Sequence, residues 1–259
     1  FETNDIWQIL LIRSLFFIIA LTAFLFLTYK KNTIKVVKNS GFPAIIAGLF
    51  LSLSFVAYVV AMSKTTVANV VFIISTQTIF LALFGLLFLK EKITLKGLIA
   101  ITLAFAGMLV MVGDSIYQGT LFGNIVAFAI PINFTILVMI IRKFPDLDMV
   151  PAIFYSGIFS GIYGLVLASN LTFSSNDILM GFLLGVPQLA FGFICVTIGT
   201  KTTKAVTVGL LMLLETIFAP IWVWIFLNEV PPISVFMGGA IIISAVILKS
   251  FDKSLKISD

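Results

Sequence analysis

An all-α polytopic membrane protein is the class this sequence predicts, on three observations. Of the 259 residues, 61% are hydrophobic and 10% charged, with a mean hydropathy of +1.21. Soluble domains carry about 25% charged residues. Apolar runs of helix length follow one another along the whole chain, with only short polar connections between them. A run of about 20 apolar residues is what a helix needs to cross a bilayer. Third, the apolar runs hold isolated polar residues near mid-length. The clearest is Glu215, the single carboxylate in the stretch Ala205–Leu227. An acid at mid-depth costs roughly 2.5–3.5 kcal/mol on insertion scales, so it needs a cavity, a partner or a substrate.

Nine spans are predicted, all helix length and none of the roughly ten-residue alternating kind that builds a barrel. Trp7–Tyr29 carries Arg13 within it. Gly41–Met62 and Thr66–Leu89 follow, the latter with Gln77 at its centre. Gly97–Val112 is rich in small residues. Thr120–Ile141 holds Pro131 and, just after it, Asn133. Val150–Ala168 has small residues at four-residue spacing, at Ser156, Ser160 and Gly164 and at Gly157 and Gly161. Ile178–Ile198 repeats this with Gly181 and Gly185, then Pro187 and Gln188. Ala205–Leu227 contains Glu215 and Pro220, the proline straining the helix around Thr216. Pro232–Leu248 ends the series. Small residues at such spacing permit close helix approach and are read as packing. Trp7, Trp222 and Trp224 read as interfacial belt residues.

The loops orient the chain. Alternate connections hold Lys30, Lys31, Lys35 and Lys38; Lys90, Lys92 and Lys96; Arg142 and Lys143; Lys201 and Lys204; and Lys249, Lys253 and Lys256. Lys64 is the lone base on the other side, which bears Glu2, Asp5, Asp114, Asp177 and Glu229. The positive-inside rule then predicts a cytoplasmic C-terminus in a cell membrane, with the bacterial inner membrane expected. The net charge of +5 is thus a topology signal, and nucleic acid is not an expected partner.

An internal repeat emerges at an offset of 138 residues. It lays TQTIFLALFGLLFLKE (Thr76–Glu91) on LETIFAPIWVWIFLNE (Leu214–Glu229), with six identities in sixteen, and each copy is preceded by a KTT tripeptide. The loop charges make the two copies cross in opposite directions, as in an inverted repeat. Residues 1–113 and 119–249 are the expected repeats, with 250–259 a cytoplasmic tail. Three spans precede the shared helix in the second half and two in the first. A five-plus-five plan of ten helices therefore leads us to expect one further helix ahead of Phe1.

With these features the sequence resembles the drug/metabolite transporter superfamily, and within it the EamA-type transporters. The residues that carry the resemblance are LIRSLFFIIAL (Leu11–Leu21), the acid-ended helices at LFLKE and IFLNE, GLIAITLAFAGMLVMVG (Gly97–Gly113) and GTLFGNIVAFAI (Gly119–Ile130). The resemblance implies two inverted five-helix repeats around a central cavity, with solute moved by alternating access. It also implies cavity positions for Ser54, Tyr58 and Asn69, and a structural or gating part for Arg13, by snorkelling or by pairing with an outer acid such as Glu229.

The candidate binding residues follow. The repeat makes Gln77 and Glu215 equivalent. Glu215 would meet a substrate ammonium or carry a proton, and Gln77 would exchange hydrogen bonds. Asn133 and Gln188 each stand beside a proline, Pro131 and Pro187, that loosens its helix; Pro220 does the same near Glu215. Each of these has a plainer reading as interhelical packing, worth about 0.6 kcal/mol per hydrogen bond. The expected function is a secondary transporter of small polar metabolites, amino acids or related amines, across the cytoplasmic membrane. A multidrug or other metabolite facilitator or exchanger of the same fold, or a lipid-acting membrane protein, is the alternative. Proton coupling would rest on Glu215, and the protein is expected as a monomer or homodimer in the lipid bilayer. No cofactor, metal or enzyme activity is expected: there is no histidine, only one cysteine (Cys195), and no phosphate-cradling glycine loop.

Overall fold

The computed structural model describes residues 5–91, 93–112, 120–228 and 232–251, and no strand occurs among them. The helices are α1 (Ile6–Tyr29), α2 (Thr33–Lys64), α3 (Val67–Ser75), α4 (Gln77–Phe88), α5 (Leu95–Val112), α6 (Leu121–Lys143), α7 (Val150–Leu167), α8 (Ser175–Leu183), α9 (Phe191–Thr200), α10 (Ala205–Met212), α11 (Leu214–Leu227) and α12 (Ile233–Ser250). A 3-10 turn, Lys30–Asn32, joins α1 to α2, and a π-helical segment, Leu184–Ala190, joins α8 to α9. Among the described residues, five helical runs are long and apolar enough to cross a membrane. They are Ile6–Lys64, which holds two successive helices, Asn69–Phe88, Leu121–Lys143, Val150–Leu167 and Ser175–Thr200. Leu95–Met111, Ala205–Phe218 and Ile233–Lys249 are shorter apolar helices.

The chain forms two compact units. The first comprises Phe1–Ser63 with Ile136–Lys201, the second Lys64–Thr135 with Thr202–Asp259, so each draws on both halves of the sequence.

In the first unit α1 is the central helix and α7 lies antiparallel against it. The small residues of α7 make this possible: a Cβ on Gly164 would stand 2.7 Å from the Leu11 amide nitrogen, and one on Gly157 would meet Ile18 and Phe17. Gly181 lies equally close to Ile12, and Gly185 to the carbonyl oxygen of Arg13, at 2.6 Å. The four-residue spacing thus serves close packing on α1. The α1–α7 pair is also tied along its length by polar contacts. Asp5 caps α1 through the Trp7 amide and accepts a second bond, 2.8 Å, from the Ser169 amide. Gln8 donates to the Asn170 carbonyl at 2.8 Å. The buried hydroxyls of Ser14 and Ser160 meet at 2.8 Å, and Tyr29 donates to Asp148. At Gly41 the backbone turns to φ 57°, a left-handed value that glycine adopts without strain. The lysine-bearing first turns of α2 are thereby set off from its apolar length, where the predicted span begins.

In the second unit α5 and α12 pack antiparallel along their length, with Gly97 near Lys249 and Gly107 near Gly238. Gly107 and Gly238 cross there; a Cβ on Gly107 would lie 2.7 Å from the Gly238 carbonyl oxygen. Ala100, Ala104, Val206, Leu210, Ile242 and Ala245 form the core of the unit. The bounds of α5 moved by 138 residues are those of α12, and α3 and α10 begin at positions the same distance apart.

Candidate functional site

The predicted spans that carry Gln77 and Glu215 are each interrupted near the middle. α3 gives way to α4 at Thr76 (φ −63°, ψ −14°), and α10 to α11 at Leu213 (φ −65°, ψ −17°). These dihedrals tighten one turn towards 3-10 geometry. Threonine and serine hydroxyls stabilise both: Ser75 and Thr76 donate to the carbonyls of Phe72 and Ile73, each at 2.6 Å, and Thr216 donates to that of Leu213 at 2.7 Å. Such back-bonding competes with the helical ladder. Proline is not the common cause, since Ala82 stands in α4 where Pro220 stands in α11. The interruption at Leu213 also falls three residues ahead of the strain expected at Thr216.

Each interruption places its polar residue in the first turn of the following half-helix. Gln77 opens α4 and is 5% exposed; Glu215 is the second residue of α11 and is exposed. The first turn is where the helix dipole favours an anion. The two interruptions approach one another. A Cβ on Gly209 would lie 2.8 Å from the Cα of Thr78, so α10 crosses α4 beside Gln77. A void too narrow for water is lined jointly by Ser75, Thr78, Ile101, Phe105 and Leu213. Thr78 Oγ1 is buried there without a hydrogen-bond partner among the described residues. Sequence reasoning passed over Thr78 and Ser75, although Ser75–Thr78 is an all-polar run inside an apolar helix.

The other candidates lie on other elements or at other points of these helices. Asn133 is buried in α6, two residues after Pro131, whose carbonyl accepts from Thr135 at 2.7 Å. Asn69 donates to Thr65 at 3.0 Å and to Asn124 at 3.2 Å, and Thr65 donates to Asn124 at 2.7 Å. This triad ties the start of α3 to the start of α6. Gln188 and Pro187 lie in the π-helical segment and are exposed. A π-helical turn is one way a helix accommodates a residue lacking its amide donor.

Arg13 belongs to the first unit with Ser54 and Tyr58. Its guanidinium is 5% exposed, sits 5.4 Å from the centre of the Phe55 ring and interacts electrostatically with Tyr58. Nε and one terminal nitrogen have no hydrogen-bond partner among the described residues. Phe17, Phe55 and Phe193 form an edge-to-face cluster beside it, with centroid separations of 5.4–6.5 Å. Glu229, the acid considered as its partner, lies outside the described residues, as do Glu2, Asp114, Lys92 and the side chains of Pro220 and Trp222. Glu91, the other helix-ending acid, accepts from the Ala205 amide at 3.1 Å and so caps α10.

Known proteins share this architecture. A curated relative, described as an uncharacterized transporter of Methanothermobacter thermautotrophicus, is 27% identical over 209 residues, covering 74% of this chain. The matched part is 59% of that relative's length. A solved crystal structure of a protein superposes with a TM-score of 0.79 over 96% of this chain and 88% of the other; at 13% identity the likeness is one of fold. The EamA-like transporter family matches residues 2–113 and again 119–251, and this multi-pass membrane protein therefore belongs to that family.

Proposed function

We propose that the protein is a secondary transporter that moves small polar metabolites, amino acids or related amines, across the cytoplasmic membrane by alternating access. Membership of a transporter family supports the general class. The observation that carries the site is the pair of helix interruptions at Thr76 and Leu213, which line one void and present Gln77 and Glu215 in the first turns of α4 and α11. Discontinuous helices with half-helix ends directed at the solute are a recurrent device of such carriers. In this reading Glu215 takes the substrate ammonium or a proton, and Gln77 orients the solute through hydrogen bonds. Asn133 is a further polar group of the same unit.

The two-part family match, at 2–113 and 119–251, supports reading the chain as two repeats, and the antiparallel packing of α5 on α12 supports their inversion. The loop lysines support a cytoplasmic C-terminus. Flux of labelled amino acids and amines into proteoliposomes tests the assignment. Glu215→Gln is expected to slow at least one substrate by tenfold or more. Wild-type flux of every solute through that variant would remove Glu215 from the site.

A further inference from the structure

A groove in the first unit, with neither Gln77 nor Glu215 among its lining residues, has a volume of about 430 Å³. That lies within the roughly 300–1,000 Å³ of small-molecule sites. It runs between the C-terminal half of α1, the first turns of α2 and the start of α7. Leu25, Phe26, Val37 and Phe154 give it apolar walls, and Lys38 and Tyr155 also line it. Its two threonines are committed to backbone: Thr22 donates to the Ile18 carbonyl at 2.7 Å, and Thr33 to those of Leu25 and Lys30. The polar hydrogens left to a ligand are those of the Lys38 ammonium and the Tyr155 hydroxyl.

The surroundings specify charge. The segment Lys30–Ser40 contains Lys30, Lys31, Lys35 and Lys38 and no acid. Asp148, at the start of α7, is already occupied by the Tyr29 hydroxyl and the Val150 amide. Lys38 makes no ion pair among the described residues. Beside the groove the surface is apolar: Phe26 is 56% exposed, Ile34 78% and Phe42 71%. A cation at the mouth of an oily groove, at the end of membrane-crossing helices, matches a molecule with an anionic head and apolar tails. Basic pockets between membrane helices are where anionic lipid headgroups bind.

We propose that this groove is a binding site for an anionic phospholipid, with Lys38 on the phosphate, Tyr155 donating to the head and an acyl chain along Phe26, Val37 and Phe154. The groove shares no residue with the proposed transport site, and its test does not depend on flux. The full chain is placed in nanodiscs of phosphatidylcholine alone or of equal parts phosphatidylcholine and phosphatidylglycerol, then released, and lipids retained are counted by native mass spectrometry. Wild type is expected to retain phosphatidylglycerol over phosphatidylcholine by about tenfold. Lys38→Gln should abolish the preference, Val37→Trp should fill the groove and lower retention of both lipids, and Lys64→Gln, outside the groove, should leave retention unchanged. All three must elute as monodisperse, folded protein. An undiminished preference in Lys38→Gln, an equal fall in Lys64→Gln, or wild-type retention in Val37→Trp would overturn the site. Displacement of the lipid by glycerol phosphate alone would likewise overturn it, assigning the groove to a free anion.

Discussion

The α3–α4 and α10–α11 helices are built from similar text and interrupted within one residue of equivalent places, yet they use the interruption differently. Both tighten one turn, with ψ of −14° at Thr76 and −17° at Leu213, and both hold it with a hydroxyl bonded to a carbonyl three residues back. Beyond that they diverge. Gln77 is buried and cannot ionise, whereas Glu215 is exposed and ionisable. Gly209 lets α10 press onto Thr78, while its counterpart Val71 fills space. Pro220 has Ala82 as its mate. The backbone device is shared, and the chemistry placed on it is not. Two similarly interrupted helices thus carry unlike side chains in the first turns of their second halves, and only one of these is an acid.

Exchanging the unlike positions tests which differences matter. The largest effect is expected from Ala82→Pro, which inserts a proline into buried α4 at a cost of about 3 kcal/mol or more; a large fall in thermal Tm in detergent checks it. An unchanged Tm would show that α4 tolerates the proline as α11 does. Next, Gly209→Val is expected to destabilise by about 2 kcal/mol, because its side chain must displace the backbone of Thr78. Val71→Gly should cost about 1 kcal/mol, through helix propensity alone. Denaturant titrations of both variants compare them, and equal losses would erase the asymmetry in packing.

For function, Glu215→Gln should lower flux about tenfold, equivalent to about 1.4 kcal/mol, and Gln77→Ala should lower it less. A larger loss at Gln77 would invert the assigned roles. The smallest stability effect is expected at Thr78→Val. Its hydroxyl is buried without a described partner, so an isosteric apolar group should leave Tm within about 0.5 kcal/mol of wild type. A fall in flux with unchanged Tm would then add Thr78 to the binding residues.

Much of the plan was legible because a bilayer imposes simple rules. Span lengths follow from hydrocarbon thickness, and helices are required because backbone groups have no water to bond. The small residues of α7 and the π segment were readable as packing positions, and they do lie against α1. The site was only partly legible. Asn69, expected beside a cavity, donates to Thr65 and Asn124, and the contact with Asn124 spans 55 residues, which spacing cannot show. Pro220 drew attention to Thr216, whereas the interruption is at Leu213 and recurs at Thr76 without a proline. Thr78 was missed although it ends the polar run Ser75–Thr78, because the run by itself does not show which of its hydroxyls is left unbonded at a contact with another helix.

What the sequence by itself determined is the class and the apolar text of the helices, since these depend on composition alone; the offset of 138 residues adds the alignment of Gln77 with Glu215. Only the tertiary structure decided that Ser75, Thr78 and Leu213, at the two interruptions, line one void, that Arg13 is buried beside the Phe55 ring, and that each compact unit draws on both halves of the chain. The physical reason is that close packing between helices distant in sequence depends on which glycine meets which backbone. Hydrophobic text records that a helix is buried, but not against what.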